Sequence, residues 1–268
     1  NWDHPQYLGS VGATGTTAAN RIARAADLII GIGTRYSDFT TSSRTAFQNP
    51  DVRFININIA AFDAFKHGSA LAVVADARET LTELSQLLTG FSVSADYVSH
   101  CAREKAEWDS VVDAAFVDQK RALPSQTEII HAVQSASEPT DTVICAAGSL
   151  PGDLHKLWRV RSPLGYHVEY AFSCMGYEIA AGVGIARWAK DRTPIVMVGD
   201  GSYLMMHTEI VSAVAEGLKF IIVLIQNHGF ASIGHLSESI GSQRYGTKYR
   251  THDKSGNNFE SGDILPVD

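Results

Sequence analysis

Two short polar triplets stand directly after apolar runs in the second half of the chain. GDG at 199–201 follows TPIVMV, and NHG at 227–229 follows KFIIVLIQ. The Asp200 carboxylate, the Asn227 amide oxygen and a backbone carbonyl beyond Asn227 are hard oxygen donors, which Mg²⁺ takes together with diphosphate oxygens and water. The spacing fits one strand–helix–strand crossover, which predicts a metal-diphosphate site at one sheet edge. A tight turn in which Asp200 caps the next helix is the alternative.

Small residues near these strand ends leave room for a phosphate ligand. The strand before Asp200 ends at Gly199, Gly201 would let a ligand approach the backbone, and Ser202 falls near the next helix start, where free N–H groups attract phosphate. AAGS at 146–149 ends another apolar strand, and its small residues would make room for a diphosphate. An ordinary turn is the alternative there. The cofactor-contacting residues predicted from these stretches are Ala147, Gly148, Ser149, Gly199, Gly201 and Ser202.

The segments that position these residues alternate between strand and helix patterns. In the first part of the chain, LIIGI at 28–32, VRFININI and LAVVADA are short, apolar and β-branched, which is typical of strands inside a parallel sheet. RETLTELSQLL has helical spacing. We therefore predict a small α/β domain over 1–91, followed by a polar, helical linker over 92–121. GIG at 31–33 lacks the third glycine of a dinucleotide motif and predicts only a tight turn.

The remainder, 122–268, is predicted to be a second domain. Ser125 and Glu128 have the spacing of a capping box at a helix start. DTVICAAGS, EIAAGVGIARWA, TPIVMVGDGS, HTEIVSAVAEG and KFIIVLIQN then follow as strand, helix, strand, helix and strand. Residues 203–217 are long enough for one helix. The predicted fold class is α/β, with two doubly wound parallel-sheet domains.

Composition argues against several functional classes. A formal net charge of −7 without a basic cluster argues against a nucleic-acid partner. Apolar runs of about eight residues are too short to span a bilayer, so no membrane association is expected. Cys101, Cys145 and Cys174 are widely spaced, which suggests neither disulfides nor zinc and makes the cytoplasm the expected location. The chain opens without a methionine, and we expect it to be a piece of a longer protein.

The paired triplets resemble the cofactor motif of thiamine diphosphate enzymes. That resemblance implies thiamine diphosphate and Mg²⁺ as cofactors, with Asp200, Asn227 and the carbonyl of Gly229 holding the metal on the diphosphate. The first domain is similar to the middle domain of the acetolactate synthase-like branch, through GIGTRYSDF and FININI. The likeness therefore covers nearly the whole chain.

The resemblance also implies roles for residues that would otherwise look structural. The resemblance places Met175, otherwise a core methionine, under the cofactor, where it holds the cofactor bent. The backbone carbonyl of Ser173 then accepts a hydrogen bond from the amino group of the cofactor. His228 lies between two predicted metal ligands and is the candidate catalytic residue, with a structural role as the alternative. Glu169 and Glu178 flank the Met175 turn, where we expect solvated or capping roles.

Two stretches, 145–158 and 166–184, narrow the resemblance to ring-opening hydrolases within this branch. Acetolactate synthases usually have GTMG where this chain has SCMG at 173–176, and Asn-Asn where it has Asn227-His228. The hydrolase resemblance implies a cyclic polyol-derived dione of myo-inositol breakdown as the small-molecule substrate. Alternatives are an acetolactate synthase-like or other 2-keto acid enzyme, and an inactive, cofactor-free α/β protein.

The same resemblance implies an assembly larger than this chain. Family members are homodimers or homotetramers, and the glutamate that activates the cofactor comes from a separate domain of a neighbouring subunit. We find no counterpart of that domain in these 268 residues. The chain is therefore expected to carry only the diphosphate half of an active site and to be inactive by itself.

Overall fold

A computed structural model of the protein describes residues 1–117 and 120–262. The chain divides into two compact units, Trp2–Val117 and Asp118–Asp268, and Asn1 groups with the second. Residues 118–119 of the predicted linker and 263–268 of the predicted second domain lie outside the described residues.

The first unit is built on a three-stranded parallel sheet in the order β1-β2-β3. The predicted strands are present, and the register pairs Ile30 with Ile55 and Ile55 with Leu71. Gly33 follows the first strand with a φ of 63°, a left-handed conformation that glycine adopts readily in a tight turn. The elements are α1 (Thr17–Ala25), β1 (Leu28–Ile32), α2 (Asp38–Thr41), β2 (Arg53–Asn58), α3 (Ala61–Ala64), β3 (Leu71–Val74), α4 (Ala77–Leu87) and α5 (Ala95–Ala115).

Helix α5 lies in the region that the sequence predicts to be a helical linker. The helix is present, but it packs on α1 within the first unit. Arg21 of α1 binds the carboxylates of Glu104 and Glu107 at 3.1 and 2.9 Å, and Val112 is buried. The sequence of α5 predicts a linker because these charged residues resemble a solvated face.

The second unit contains a four-stranded parallel sheet in the order β5-β4-β6-β7. The central strands consist almost entirely of buried apolar residues, as expected for a sheet covered on both faces. Ile144, Ile179, Val196 and Val198 form the core between the sheet and a helix. The strands are β4 (Thr142–Cys145), β5 (Tyr166–Val168), β6 (Pro194–Gly199) and β7 (Ile221–Ile225). The predicted parallel α/β class is confirmed.

Helices connect these strands, and the predicted capping box is present at the first of them. The Ser125 hydroxyl accepts from the Glu128 N–H at 3.3 Å, while Glu128 accepts from the Ser125 N–H at 2.6 Å. The helices are α6 (Gln126–Ala136), α7 (Leu150–Leu157), α8 (Tyr177–Trp188), α9 (Asp200–Met206), α10 (Glu209–Ala215) and α11 (Ala231–Ser239), and an antiparallel pair β8 (Arg250–His252) and β9 (Phe259–Ser261) follows.

The single helix predicted over 203–217 is wrong. The structure has two helices there, α9 and α10, separated at His207 and Thr208. A ring nitrogen of His207 contacts the Leu204 carbonyl at 3.2 Å, and Ile210 N–H bonds to the His207 carbonyl, three residues back. The hydrogen bonds at this break therefore span three residues rather than the four of an α-helix. Across the described ranges, no helix has the length and apolar character needed to cross a membrane.

Candidate functional site

The candidate site lies at the carboxyl end of the second sheet. Strands β6 and β7 are parallel neighbours, and Gly199 pairs with Ile225 at their ends. Asp200 therefore begins α9 beside the point where Asn227 leaves β7. Because ligands of open α/β sheets bind outside the carboxyl ends of the strands, the structure brings the two predicted triplets together where a ligand belongs.

Asp200 is held rigidly in this edge. Its side chain is buried, and its two carboxylate oxygens accept from different backbone groups. Oδ1 accepts from the Gly201 N–H at 3.0 Å and Oδ2 from the Gly229 N–H at 3.1 Å. The carboxylate thus ties the two triplets to each other directly.

The Asn227 amide completes a convergence of oxygens. Its Oδ1 faces the Gly229 carbonyl oxygen at 3.0 Å and Oδ1 of Asp200 at 3.2 Å, with no donor between them. Turning the amide over would let its nitrogen donate to both oxygens, which suits a site without a cation. With the oxygen in this position, the Asp200 carboxylate, the Asn227 amide and the Gly229 carbonyl would present only oxygens, a donor set that suits a hard cation.

The ligand chemistry of this convergence favours a hard cation. No group of three His, Cys, Asp or Glu side chains that could hold a metal occurs in the described part of the chain. A carboxylate, an amide oxygen and a carbonyl are the donors that suit Mg²⁺ rather than a softer transition metal. The residues predicted as metal ligands, Asp200, Asn227 and Gly229, therefore fit that ion.

The glycines of the site serve two different purposes. Gly148 and Gly199 have no atom within 4 Å of where a Cβ would lie, so both leave open space for a ligand. The sequence predicts that a ligand approaches the backbone at Gly201. In the structure, a Cβ at this position would lie only 2.8 Å from the Phe230 ring. Gly229 has a φ of 145° and lies against the Thr247 carbonyl. Gly201 and Gly229 are thus required by packing.

Glu178 and Ser202 form a buried polar network behind the site. The Ser202 hydroxyl donates to Oε2 of Glu178 at 2.8 Å and accepts from the Gly176 N–H at 2.7 Å. Burial raises the pKa of Glu178, and hydrogen bonds from its own backbone, Ser202, Ala147 and Gly176 oppose that rise. Of the two roles expected for Glu178, solvated or capping, its burial excludes the first, and its Oε2 accepts from the Gly176 N–H at the start of α8 at 3.1 Å.

The loop that carries Ser173 and Met175 is bent and partly exposed. Ser173 has a φ of 54°, and Met175 is half-buried. Glu169 accepts from the Phe172 N–H at 3.0 Å and from the Cys174 N–H at 2.7 Å, so its carboxylate holds this loop. The structure places the loop beside α8, and the roles of Ser173 and Met175 toward a cofactor stay predictions.

His228 lines a cavity of about 360 Å³, and the candidate metal ligand Asn227 lines it too. Its backbone has a φ of 61°, and its Nδ1 lies 3.2 Å from Nε2 of Gln226. Tyr249 lines the same cavity, and among the described residues no atom forms a hydrogen bond with its buried hydroxyl. Burial raises the pKa of Tyr249 to about 12, and the negative charge of Asp200 makes a smaller contribution in the same direction. Sequence reasoning missed Arg244, Thr247, Lys248 and Tyr249, which come from a stretch without clear periodicity.

Comparison with known families identifies both parts of the chain. Residues 146–262 match the thiamine pyrophosphate enzyme C-terminal TPP binding domain, and residues 1–84 match the thiamine pyrophosphate enzyme central domain. The chain belongs to the thiamine pyrophosphate enzymes. Its cofactor is accordingly thiamine diphosphate, which such enzymes use with a divalent metal.

Individual relatives within the thiamine pyrophosphate enzymes are similar over the whole chain. A protein of Clostridium tetani named 3D-(3,5/4)-trihydroxycyclohexane-1,2-dione hydrolase is 38% identical over 291 aligned residues, covering 100% of this chain and 45% of the relative. A protein of the same name from Bacillus cereus strain AH820 is 37% identical, covering 99% of this chain and 45% of the relative. The chain thus spans less than half the length of these relatives.

Proposed function

We propose that the protein containing this chain hydrolyses a carbon–carbon bond of 3D-(3,5/4)-trihydroxycyclohexane-1,2-dione, giving 5-deoxy-glucuronate, with thiamine diphosphate and Mg²⁺. The convergence of Asp200, Asn227 and the Gly229 carbonyl is the observation that carries the cofactor half of this proposal. The substrate half is supported by relatives of that name at 37 and 38% identity.

The residues at the sheet edge fit the diphosphate end of the cofactor. Asp200, Asn227 and Gly229 would hold the metal, and the open space at Gly148 and Gly199 would accept phosphate oxygens. Helix α11 begins at Ala231, two residues beyond the last of these ligands, and the positive end of its dipole favours an anion there. No sequence pattern predicts this helix.

The chain's other residues would orient the reactants and move protons. When bound, thiamine diphosphate supplies the electron sink for carbon–carbon cleavage. Met175 would support the bent cofactor from the loop before α8, and the Ser173 carbonyl would accept from the cofactor's amino group. His228 lines the cavity beside the metal ligands, where its imidazole would exchange a proton with the substrate.

The assembly belongs to the same proposal. We infer a cytoplasmic homodimer or homotetramer in which another domain supplies the glutamate that activates the cofactor, as the family resemblance implies. Such a domain would lie in the part of the relatives' length that this chain does not span.

An assay of the full-length protein tests the proposal. Reconstituted with thiamine diphosphate and Mg²⁺, it should open the dione to the acid and should not condense pyruvate. Asp200→Asn should abolish turnover, whereas Asp191→Asn, at an exposed position in the same unit, should leave it unchanged. A dominant acetolactate product would favour the synthase instead, and failure to bind the cofactor would favour a cofactor-free protein.

A further inference from the structure

A buried carboxylate joins three of the segments that carry the candidate cofactor residues. Glu178 is 1% exposed, and its oxygens accept from Ala147 N–H at 3.3 Å, from Gly176 N–H at 3.1 Å and from the Ser202 hydroxyl at 2.8 Å. Ala147 follows β4, Gly176 begins α8, and Ser202 lies in α9. One side chain therefore contacts every segment that carries a candidate cofactor residue, apart from the end of β7.

The network is closed as well as buried. The Gly176 N–H is shared between Oε2 of Glu178 and the Ser202 hydroxyl, which itself donates to the same Oε2. This triangle fixes the rotamer of Ser202, two residues after Asp200, and the backbone at Gly176, one residue after Met175. Gly176 has a φ of 89°, and a Cβ there would lie 2.7 Å from the Met206 side chain, so glycine is required at the start of α8.

Stability alone does not explain a carboxylate at this position. Removing an ionisable group from water is costly unless it is fully hydrogen-bonded, and an apolar side chain of similar volume often serves a core equally well. Such a side chain would, however, leave the Ala147 N–H without its acceptor and would release the Ser202 hydroxyl. The carboxylate is the group that can accept from all three donors at once.

We propose that Glu178 is a positioning residue that sets the loop of Met175 and the start of α9, with Asp200, in the mutual arrangement that the bound cofactor requires. The inference rests on the proposed use of thiamine diphosphate and assigns Glu178 no contact with the cofactor or substrate. A displacement of about 1 Å at a reacting group can cost about a hundredfold in rate. The loss of this carboxylate should therefore appear in cofactor binding and turnover rather than in substrate affinity.

The test compares Glu178→Gln with Glu138→Gln, a substitution at an exposed position of the same unit, in the full-length protein. Glutamine keeps the shape of the side chain, but its amide nitrogen cannot accept from Gly176 or Ser202. With saturating Mg²⁺, we expect thiamine diphosphate affinity to fall about tenfold or more. At saturating cofactor, kcat should fall by a similar factor while KM for the dione changes less than about twofold. The control should match wild type in every measurement.

A second variant separates positioning from folding. Ser202→Ala, alone and combined with Glu178→Gln, forms a double-mutant cycle, and residues of one network should lower cofactor affinity less than additively. Unfolding temperatures are measured without cofactor. A Glu178→Gln protein with a lower unfolding temperature but unchanged cofactor affinity and kcat would overturn the proposal, as would full additivity of the two substitutions.

Failure of this inference is distinguishable from failure of the proposed function. Cofactor binding is measured without substrate, so a wild-type protein that binds thiamine diphosphate but leaves the dione intact would contradict only the proposed reaction. Equal affinity of wild type and Glu178→Gln would contradict only the role of Glu178.

Discussion

At the scale of single residues, the proposed metal site depends most on Asp200. It is the only charged side chain among the three candidate ligands, and its carboxylate also ties Gly201 to Gly229. Asp200→Ala should therefore abolish Mg²⁺-dependent binding of thiamine diphosphate. Calorimetry measures this, with Asp191→Ala as a control at an exposed position. Unchanged affinity in the Asp200 variant would remove the metal assignment.

The hydroxyl of Tyr249 predicts an effect of the opposite kind. It is buried without a hydrogen-bond partner among the described residues, which costs about 1 to 3 kcal/mol. Tyr249→Phe should accordingly leave the stability of the cofactor-free protein unchanged or raise it. Chemical unfolding followed by fluorescence measures the difference. A loss of more than about 1 kcal/mol would mean that the hydroxyl has a partner in solution.

The sequence predicts the positions of some residues at the candidate site and not of others, for a physical reason. The positions of Asp200 and Asn227 are predictable because Asp200 directly follows β6, Asn227 lies two residues beyond β7, and parallel neighbouring strands end at the same edge. Glu178 is not, since its burial depends on groups 31 and 24 residues away at Ala147 and Ser202. Tyr249 lies in a stretch without periodicity. Contacts between loops that are distant in sequence leave no local pattern.

At the scale of elements, the capping box of α6 is a direct test of local stabilisation. Ser125→Ala removes the acceptor for the Glu128 N–H and should destabilise the protein by about 1 kcal/mol. Ser135→Ala, at an exposed position in the same helix, should be neutral or slightly stabilising because alanine is the better helix former. Urea unfolding of both variants gives the comparison, and equal stabilities would contradict a role for the cap.

The elements that the sequence missed share weak local signals. Strand β5 has only three residues, and its central His167 is polar, so neither length nor alternation marks it. The break between α9 and α10 contains neither proline nor glycine; it lies at His207, whose ring contacts the Leu204 carbonyl, and at Thr208. In contrast, β6 and β7 are continuous apolar runs and are predicted almost to their ends. Long, regular segments carry their own signal, and short edge elements depend on their neighbours.

At the scale of the whole molecule, the candidate residues all lie in one of the two units. Ala147 to Gly229 fall within Asp118–Asp268, and none of the candidate residues belongs to Trp2–Val117. A ligand stabilises the state that binds it. Thiamine diphosphate with Mg²⁺ should therefore slow hydrogen exchange in the second unit, most strongly in α9 and α11, and change the first unit less. Mass spectrometry of peptides measures this, and uniform protection of both units would contradict it.

By itself, the 268-residue chain should bind thiamine diphosphate weakly. The thiazolium proton of the bound cofactor should exchange no faster than in water. The family resemblance places the activating glutamate in another domain, and the structure gives neither local candidate that role. The Glu169 carboxylate accepts from Phe172 and Cys174, and that of Glu178 is buried among Ala147, Gly176 and Ser202. General acid–base help is worth about 10² to 10⁴-fold, so its presence would be obvious. The exchange of this proton is followed by NMR in deuterated buffer with excess protein, and Asp200→Ala serves as the non-binding control. Faster exchange with the unaltered chain, but not with Asp200→Ala, would contradict the prediction. It would mean that one of these glutamates reaches the cofactor after a rearrangement.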